Sequence, residues 1–355
     1  MSVYIQGISC ISPQRSFLSE GLSGEPVNYD TPWLSCIEPV YKEHINPTLA
    51  RRLSRYIKMG VTTALTALKD AGIEMPQAVI TGTGLGSTED NEKILLAMYE
   101  NQERMINPTH FIQSTHNTIS SQIAIMLKCH DYNNTYVHRG FSFESALLDG
   151  MLLIAEGKSE TALVGGVDAV TEGHYINYAR INRWRANTNG SLRMITDKGA
   201  GVVPGEGSAH FLIGKEKSPN TCACIKSLEL IYKPASSAQV IERCNRMLAE
   251  NGLTPADIDL VISGNNGDTT NDFFYQEVSG QLFPDKATAY FKHLCGEYET
   301  AGAFALWLAA SILKTHQIPD GILQRGVVAS PLKNILIYNH HRGDQHSLYL
   351  LTAVL

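Results

Sequence analysis

The stretch from about Ser142 to Glu156 places Phe143, Ala146, Leu147, Leu148, Met151, Leu152, Ile154 and Ala155 around nearly the whole circumference of a helix. Such a helix leaves little face for water, so it must be buried on most sides by other elements. Short strand-like runs, including Ala78–Thr81, Thr161–Val164, Leu260–Ser263 and Asn334–Tyr338, alternate with long helical stretches. That alternation predicts an α/β protein whose sheets are largely covered.

Other helices are legible from their spacing. Between Pro47 and Ala71, Leu49, Leu53, Ile57, Val61, Leu65 and Leu68 recur every three or four residues, and Gly72 supplies a left-handed cap. This predicts one long amphipathic helix. A further helix, from about Glu299 to His316, is rich in Ala with Gly302, so neighbours can approach it closely, and it ends before Pro319. A third spans Ala238–Asn251 and is capped by Gly252.

With 355 residues the chain exceeds one ordinary core, yet its composition stays even, which predicts two tightly packed halves. The charged, Pro-containing stretch around residues 215–222 is the expected junction, dividing the chain into residues 1–218 and 219–355. A net charge of −6 argues against a broad nucleic-acid footprint. Met1–Gly7 alternates like a strand and resembles neither a signal peptide nor a membrane anchor, so a cytoplasmic protein is expected.

The seven cysteines are odd in number and scattered, as reduced and mostly buried thiols would be. Cys222 and Cys224 share one strand face, but no second pair completes a zinc set. His110, His116, His340, His341 and His346 fit no standard zinc spacing either. No metal and no cofactor are expected.

Several separated segments occur in one order: Arg51–Lys58 leading to Leu68–Gly72, Thr81-Gly-Thr-Gly-Leu-Gly86, Asn117–Gln122, Gly157–Gly166, Pro204-Gly-Glu-Gly-Ser208, Thr254–Asp259 and Lys292-x-x-x-Gly296-Glu-x-x-x-Ala-Gly302. Together they resemble the landmarks of the beta-ketoacyl synthase (ketosynthase) branch of the thiolase fold. The resemblance implies two similar halves in α-β-α-β-α layers. It also implies a nucleophilic cysteine at a strand-to-helix junction, where the helix N-terminus stabilises a thiolate and backbone N–H groups bind an oxyanion.

That junction here reads Tyr136-Val-His-Arg-Gly140-Phe-Ser-Phe, so Gly140 stands at the cysteine position. The loop that carries the family's first histidine contains Asn265 and Asn266 instead. Lys292 matches the family's lysine, while Glu297 replaces the second histidine and Leu306 replaces the lysine's usual glutamate partner. The glycine-rich loop near the C-terminus has become the bulkier Ile337–Asp344. A carboxylate at Glu297 would repel an enolate rather than donate to it, and the expectation is a buried Glu297–Lys292 ion pair.

Ser142 and Cys295 are surrogate nucleophile candidates, but neither has a histidine base at the family's spacing, so a helix-start serine and a buried thiol are expected. By resemblance, the Asn107–Asn117 segment lies at a dimer interface and lines an acyl tunnel, which makes His110, Phe111, Gln113 and Thr115 interface candidates. Arg51, Arg55 and Lys58, or Arg180, Arg183 and Arg185 around Trp184, are candidates for docking an acidic acyl carrier protein, set against the commoner solvated face or dimer contact.

The resemblance therefore implies a chain-length-factor-like subunit, not catalytic on its own, that pairs with an active ketosynthase in fatty acid or polyketide synthesis. The Arg51–Gly72 and Phe111–Gln122 segments resemble those of aryl-polyene and flexirubin-type pigment pathways. Two alternatives stand beside it: a decarboxylase or acyltransferase using Lys292 with Asn265 or Asn266, and a homodimer that binds acyl chains or carrier protein.

Overall fold

A computed structural model describes residues 2–104, 106–185, 189–328 and 330–354. Its strands are β1 (Val3–Ile11), β2 (Ala78–Gly82), β3 (Tyr132–Tyr136), β4 (Thr161–Asp168), β5 (Gly207–Gly214), β6 (Ala223–Tyr232), β7 (Leu260–Ser263), β8 (Ala287–Tyr290), β9 (Leu323–Arg325), β10 (Asn334–His341) and β11 (Gln345–Thr352). The strand expected at the N-terminus is β1; Met1 lies outside the described residues. Among the described residues these eleven strands join one mixed sheet in the order β3-β2-β4-β5-β1-β6-β11-β10-β7-β8-β9.

Read outward from its centre, the sheet repeats itself. From β1 the neighbours are β5, β4, β2 and β3; from β6 they are β11, β10, β7 and β8. On each side the first two pairings are antiparallel and the next two parallel. The two series meet where β1 runs antiparallel to β6 through Val3, Tyr4 and Ile5. No repeat is visible in the sequence, yet the topology carries one.

The helices are α1 (Pro47–Ala50), α2 (Arg55–Ala71), α3 (Thr88–Glu100), α4 (Pro108–Gln113), α5 (Thr118–Leu127), α6 (Ser142–Ala155), α7 (Glu172–Arg180), α8 (Ser237–Glu250), α9 (Phe273–Leu282), α10 (Lys292–Cys295) and α11 (Ala301–Thr315). Because strand side chains alternate between faces, three cores define the layers. Val79, Leu163 and Leu212 pack on α2 and α5. Ile80, Val164 and Phe211, together with Ile262, Ile337 and Leu351 from the other series, pack on α6 and α11. Val261, Leu336 and Leu348 pack on α8 and α9. This is the α-β-α-β-α arrangement of the thiolase-like fold.

The all-round apolar segment is α6, at the centre, with Leu152 the one large side chain substantially exposed at 42%. In α11 every residue from Ala301 to Leu313 is buried. Each large aliphatic or aromatic side chain placed there contributes about 1.5–3 kcal/mol of transfer free energy. Left-handed His316 (φ 53°) ends that helix.

The single helix expected over Pro47–Ala71 is two. Ser54 is extended (ψ 163°), and its N–H is taken by the Gln113 side-chain oxygen at 3.1 Å rather than by the preceding turn. Apolar periodicity runs through the break because both pieces face the same core, so the spacing alone conceals it. Among the described residues no helix is long and apolar enough to cross a membrane.

Candidate functional site

β3 and α6 meet at a tight turn. Arg139 takes a left-handed conformation (φ 52°), residues Arg139–Phe141 form a 3-10 turn, and α6 opens at Ser142. Gly140 is buried there. Its N–H donates to Gln345 Oε1 at 3.0 Å, and Gln345 Nε2 donates to His138 O at 3.0 Å. Ser142 is a helix-start serine: its hydroxyl accepts from His138 N at 2.9 Å and donates to Arg139 O at 2.7 Å. No base reaches it. Cys295 is fully buried, which pushes its thiol well above the ordinary range.

Lys292 and Glu297 are brought together by a loop that needs two glycines. A Cβ on Gly205 would lie 1.9 Å from Cys295 O, and Gly296 is left-handed (φ 77°). The close approach lets Glu297 exchange backbone hydrogen bonds with the stretch 203–205, 2.8 Å to Val203 O and 3.1 Å from Gly205 N. Glu297 is thereby fixed in the interior.

Around it sits a chain of buried charges. Lys292 Nζ donates to Glu297 Oε2 at 2.6 Å and to His340 O at 3.0 Å. Asn266 Nδ2 donates to the same carboxylate oxygen at 2.9 Å. His341 Nδ1 faces Glu297 Oε1 at 3.5 Å, and its Nε2 lies 3.4 Å from Arg183 Nη2. The His341 ring thus lies between a carboxylate and a guanidinium. Arg183 in turn pairs with Glu299 at 3.1 Å and stacks on Tyr178 with its charge 4.3 Å from the ring centre. Burial pushes the Glu297 carboxyl up, but Lys292 and His341 outweigh it and hold the group at about 2. The carboxylate is therefore charged at neutral pH, and the lysine's charge is spent on it.

Asp168 ties this loop to the Thr81–Gly86 turn. Its Oδ1 accepts from Thr83 Oγ1, Gly84 N and Leu85 N at 3.0, 2.9 and 3.1 Å, and its Oδ2 accepts from Thr300 N and Oγ1 at 3.0 and 2.9 Å. A cleft of roughly 230 Å³ opens beside Glu297, lined also by Arg183, Asn266, Asp268, His340 and Arg342.

Several expected residues have other roles. Of the two asparagines only Asn266 touches the lysine–glutamate pair; Asn265 accepts from Ser263 Oγ at 2.7 Å. Gln113 is buried, where it accepts from Ser54 N and donates to Arg52 O. Beside it, His110 bonds Asp90 at 2.9 Å, Phe111 is 64% exposed, and Thr115 is exposed.

Three of the six candidate docking cations are already engaged. Arg55 pairs with buried Glu206 and with Glu38, Arg183 with Glu299, and Arg185 donates to Met194 O and Asn266 O at 2.9 Å each. Arg51 and Arg180 are exposed and Lys58 is half-buried. Spacing finds positive charge but not the carboxylate or carbonyl that claims it. Sequence reasoning missed the site roles of His341, Gln345, Glu299 and Asp168, whose partners lie far away along the chain.

With this geometry in view, the sequence over residues 38–218, just over half of the chain, matches the family model of the beta-ketoacyl synthase N-terminal domain. The chain belongs to the beta-ketoacyl synthase family. Its fold is shared by solved members at low identity. The structure titled the ishigamide ketosynthase/chain length factor superposes with a TM-score of 0.83 at 17% identity, covering 100% of this chain and 99% of that one. A beta-ketoacyl synthase from Burkholderia phymatum gives 0.81 at 15%, covering 99% of each. The ketosynthase ApeO in complex with its chain length factor ApeC, from Xenorhabdus doucetiae, gives 0.80 at 17%, covering 99% and 98%. No curated protein sequence matches the chain.

Proposed function

We propose that this family member is a non-condensing, chain-length-factor-like subunit that pairs with an active ketosynthase in fatty acid or polyketide biosynthesis. The observation that carries the reading is chemical. Gly140 has no nucleophile, and the one ammonium of the constellation, Lys292, is bound to a carboxylate that stands where an imidazole would be needed. Condensation requires a thioester-forming group and donors for an enolate. Here a fixed negative charge faces that space, so catalysis belongs to the partner.

The surface supports association. β3 is an edge strand, with Tyr132 41% exposed, and edge strands offer open backbone groups to a partner. The packed helices α3 and α4 present Leu95, Leu96, Tyr99, Phe111 and Ile112, each 59–84% exposed. An acyl carrier protein is the second partner in this reading, and an aryl-polyene or flexirubin-type pathway is its finer part.

Co-expression with a ketosynthase that carries intact Cys, His, His and Lys provides the test. The expected result is a stable one-to-one complex, and no acyl adduct on this chain when it alone meets acyl carrier protein and is read by mass spectrometry. Carbon dioxide release from malonyl-carrier protein by the isolated chain, abolished by Lys292→Ala, would replace this reading with a decarboxylase. A homodimer that ignores every ketosynthase offered would replace it with a self-paired binding protein.

A further inference from the structure

The backbone at Gly140 lies outside the left-handed region, so no dihedral requirement explains a glycine there. Space does. A Cβ built on Gly140 falls 2.2 Å from Cβ, 2.7 Å from Cγ and 3.2 Å from Cδ2 of His341, against an optimal carbon–carbon separation of about 3.5–4.0 Å. Rotating the imidazole does not help, because the closest atom is its Cβ, which moves only with the backbone. That backbone is pinned: His341 pairs with Gln345 at the end of the β10–β11 ladder, and its buried ring is held between Glu297 and Arg183.

The ladder partner of His341 completes the arrangement. Gln345, 5% exposed, accepts the Gly140 N–H through Oε1 and donates to His138 O through Nε2. One side-chain carboxamide thus braces both sides of the turn. Its carbonyl oxygen holds the N–H that an acyl carbonyl oxygen would need.

We infer that the β10–β11 hairpin is a built-in plug of the acylation site: His341 excludes any side chain at position 140, and Gln345 occupies the backbone donor as an internal mimic of the acyl group. The block is therefore double, and restoring cysteine alone does not lift it. This inference is independent of pairing with a ketosynthase, so a failure of either leaves the other standing.

The test is a set of purified full-length variants, compared by thermal unfolding and by alkylation with iodoacetamide, in which a thiolate sulfur displaces iodide and forms a C–S bond. Gly140→Cys is expected to lower Tm by several degrees, or to leave the chain insoluble, because overpacking a rigid core is destabilising. Adding His341→Gly restores the melting temperature to that of His341→Gly alone. Adding His341→Ala does not, because alanine keeps the obstructing Cβ. Alkylation mapped to residue 140 rises about tenfold or more from Gly140→Cys to Gly140→Cys/His341→Gly, and rises again when Gln345→Ala opens the N–H.

Gly140→Ala in the same backgrounds gives the steric answer without a thiol. Insolubility of Gly140→Ala that His341→Gly rescues supports the plug. A Gly140→Cys variant as stable as the parent with a freely alkylated thiol overturns it, as does equal rescue by alanine and glycine at 341, or failure of both.

Discussion

Glu297 decides what the interior of this protein tolerates. Replacing it with Gln leaves Lys292, fully buried, without its counter-charge, and breaking a buried pair in this way costs about 3–5 kcal/mol. Because the fold depresses the Glu297 carboxyl from 4.5 to about 2, the stability it contributes is complete above its unfolded value and is lost as pH falls from about 4.5 toward 2. Denaturant unfolding between pH 6 and pH 2.5 should show this acid-labile part in the parent and not in Glu297→Gln.

Glu144 behaves oppositely. Burial raises it to about 7 against the pull of hydrogen bonds from Tyr349 and Ser347, so the fold favours the protonated form. That contribution is full below 4.5 and disappears as pH rises through about 7. This part of the parent's loss between pH 5 and pH 8.5 is on the order of 2 kcal/mol; Glu144→Gln should lose that much less over the same range, keeping the share that Asp168 and Asp272, also raised by burial, contribute in both proteins. The Lys292–Glu297 pair was legible in the sequence because the family resemblance set a glutamate at the second-histidine position, near the matching lysine whose usual partner position holds Leu306. His341 and Glu144 were not, since a histidine or glutamate acquires a role only from what the fold packs against it.

Among elements, Asp168 at the end of β4 is the joint between the Thr81–Gly86 turn and the start of α11. Asp168→Ala would leave five donors without their acceptor, and a buried unmade bond costs about 1–3 kcal/mol each. The expected outcome is a loss of several kcal/mol in denaturant unfolding, with Asp168→Asn recovering only part of it because one oxygen becomes a donor. Strands and buried helices emerged from periodicity, as α6 and α8 show. The interruption between α1 and α2 did not, because it depends on Gln113, 59 residues away from Ser54. The sheet order was equally silent: only pairing in three dimensions exposes the second copy of the strand series.

At the scale of the molecule, the exposed apolar side chains of α3 and α4 are the place to interrupt assembly without unfolding the chain. Leu95→Asp with Phe111→Asp should leave Tm within about 1–2 °C of the parent, as surface changes do, while abolishing co-purification with a ketosynthase. A parallel loss of both readouts would assign these residues to folding instead. The inner faces of both strand series rest on the same pair of helices, α6 and α11. Neither series owns a complete interior, so excising residues 219–355 would strip one wall from a shared room. We expect that fragment to aggregate on expression, and the intact chain to melt in one calorimetric step: the repeat is a duplicated blueprint for a building with no party wall.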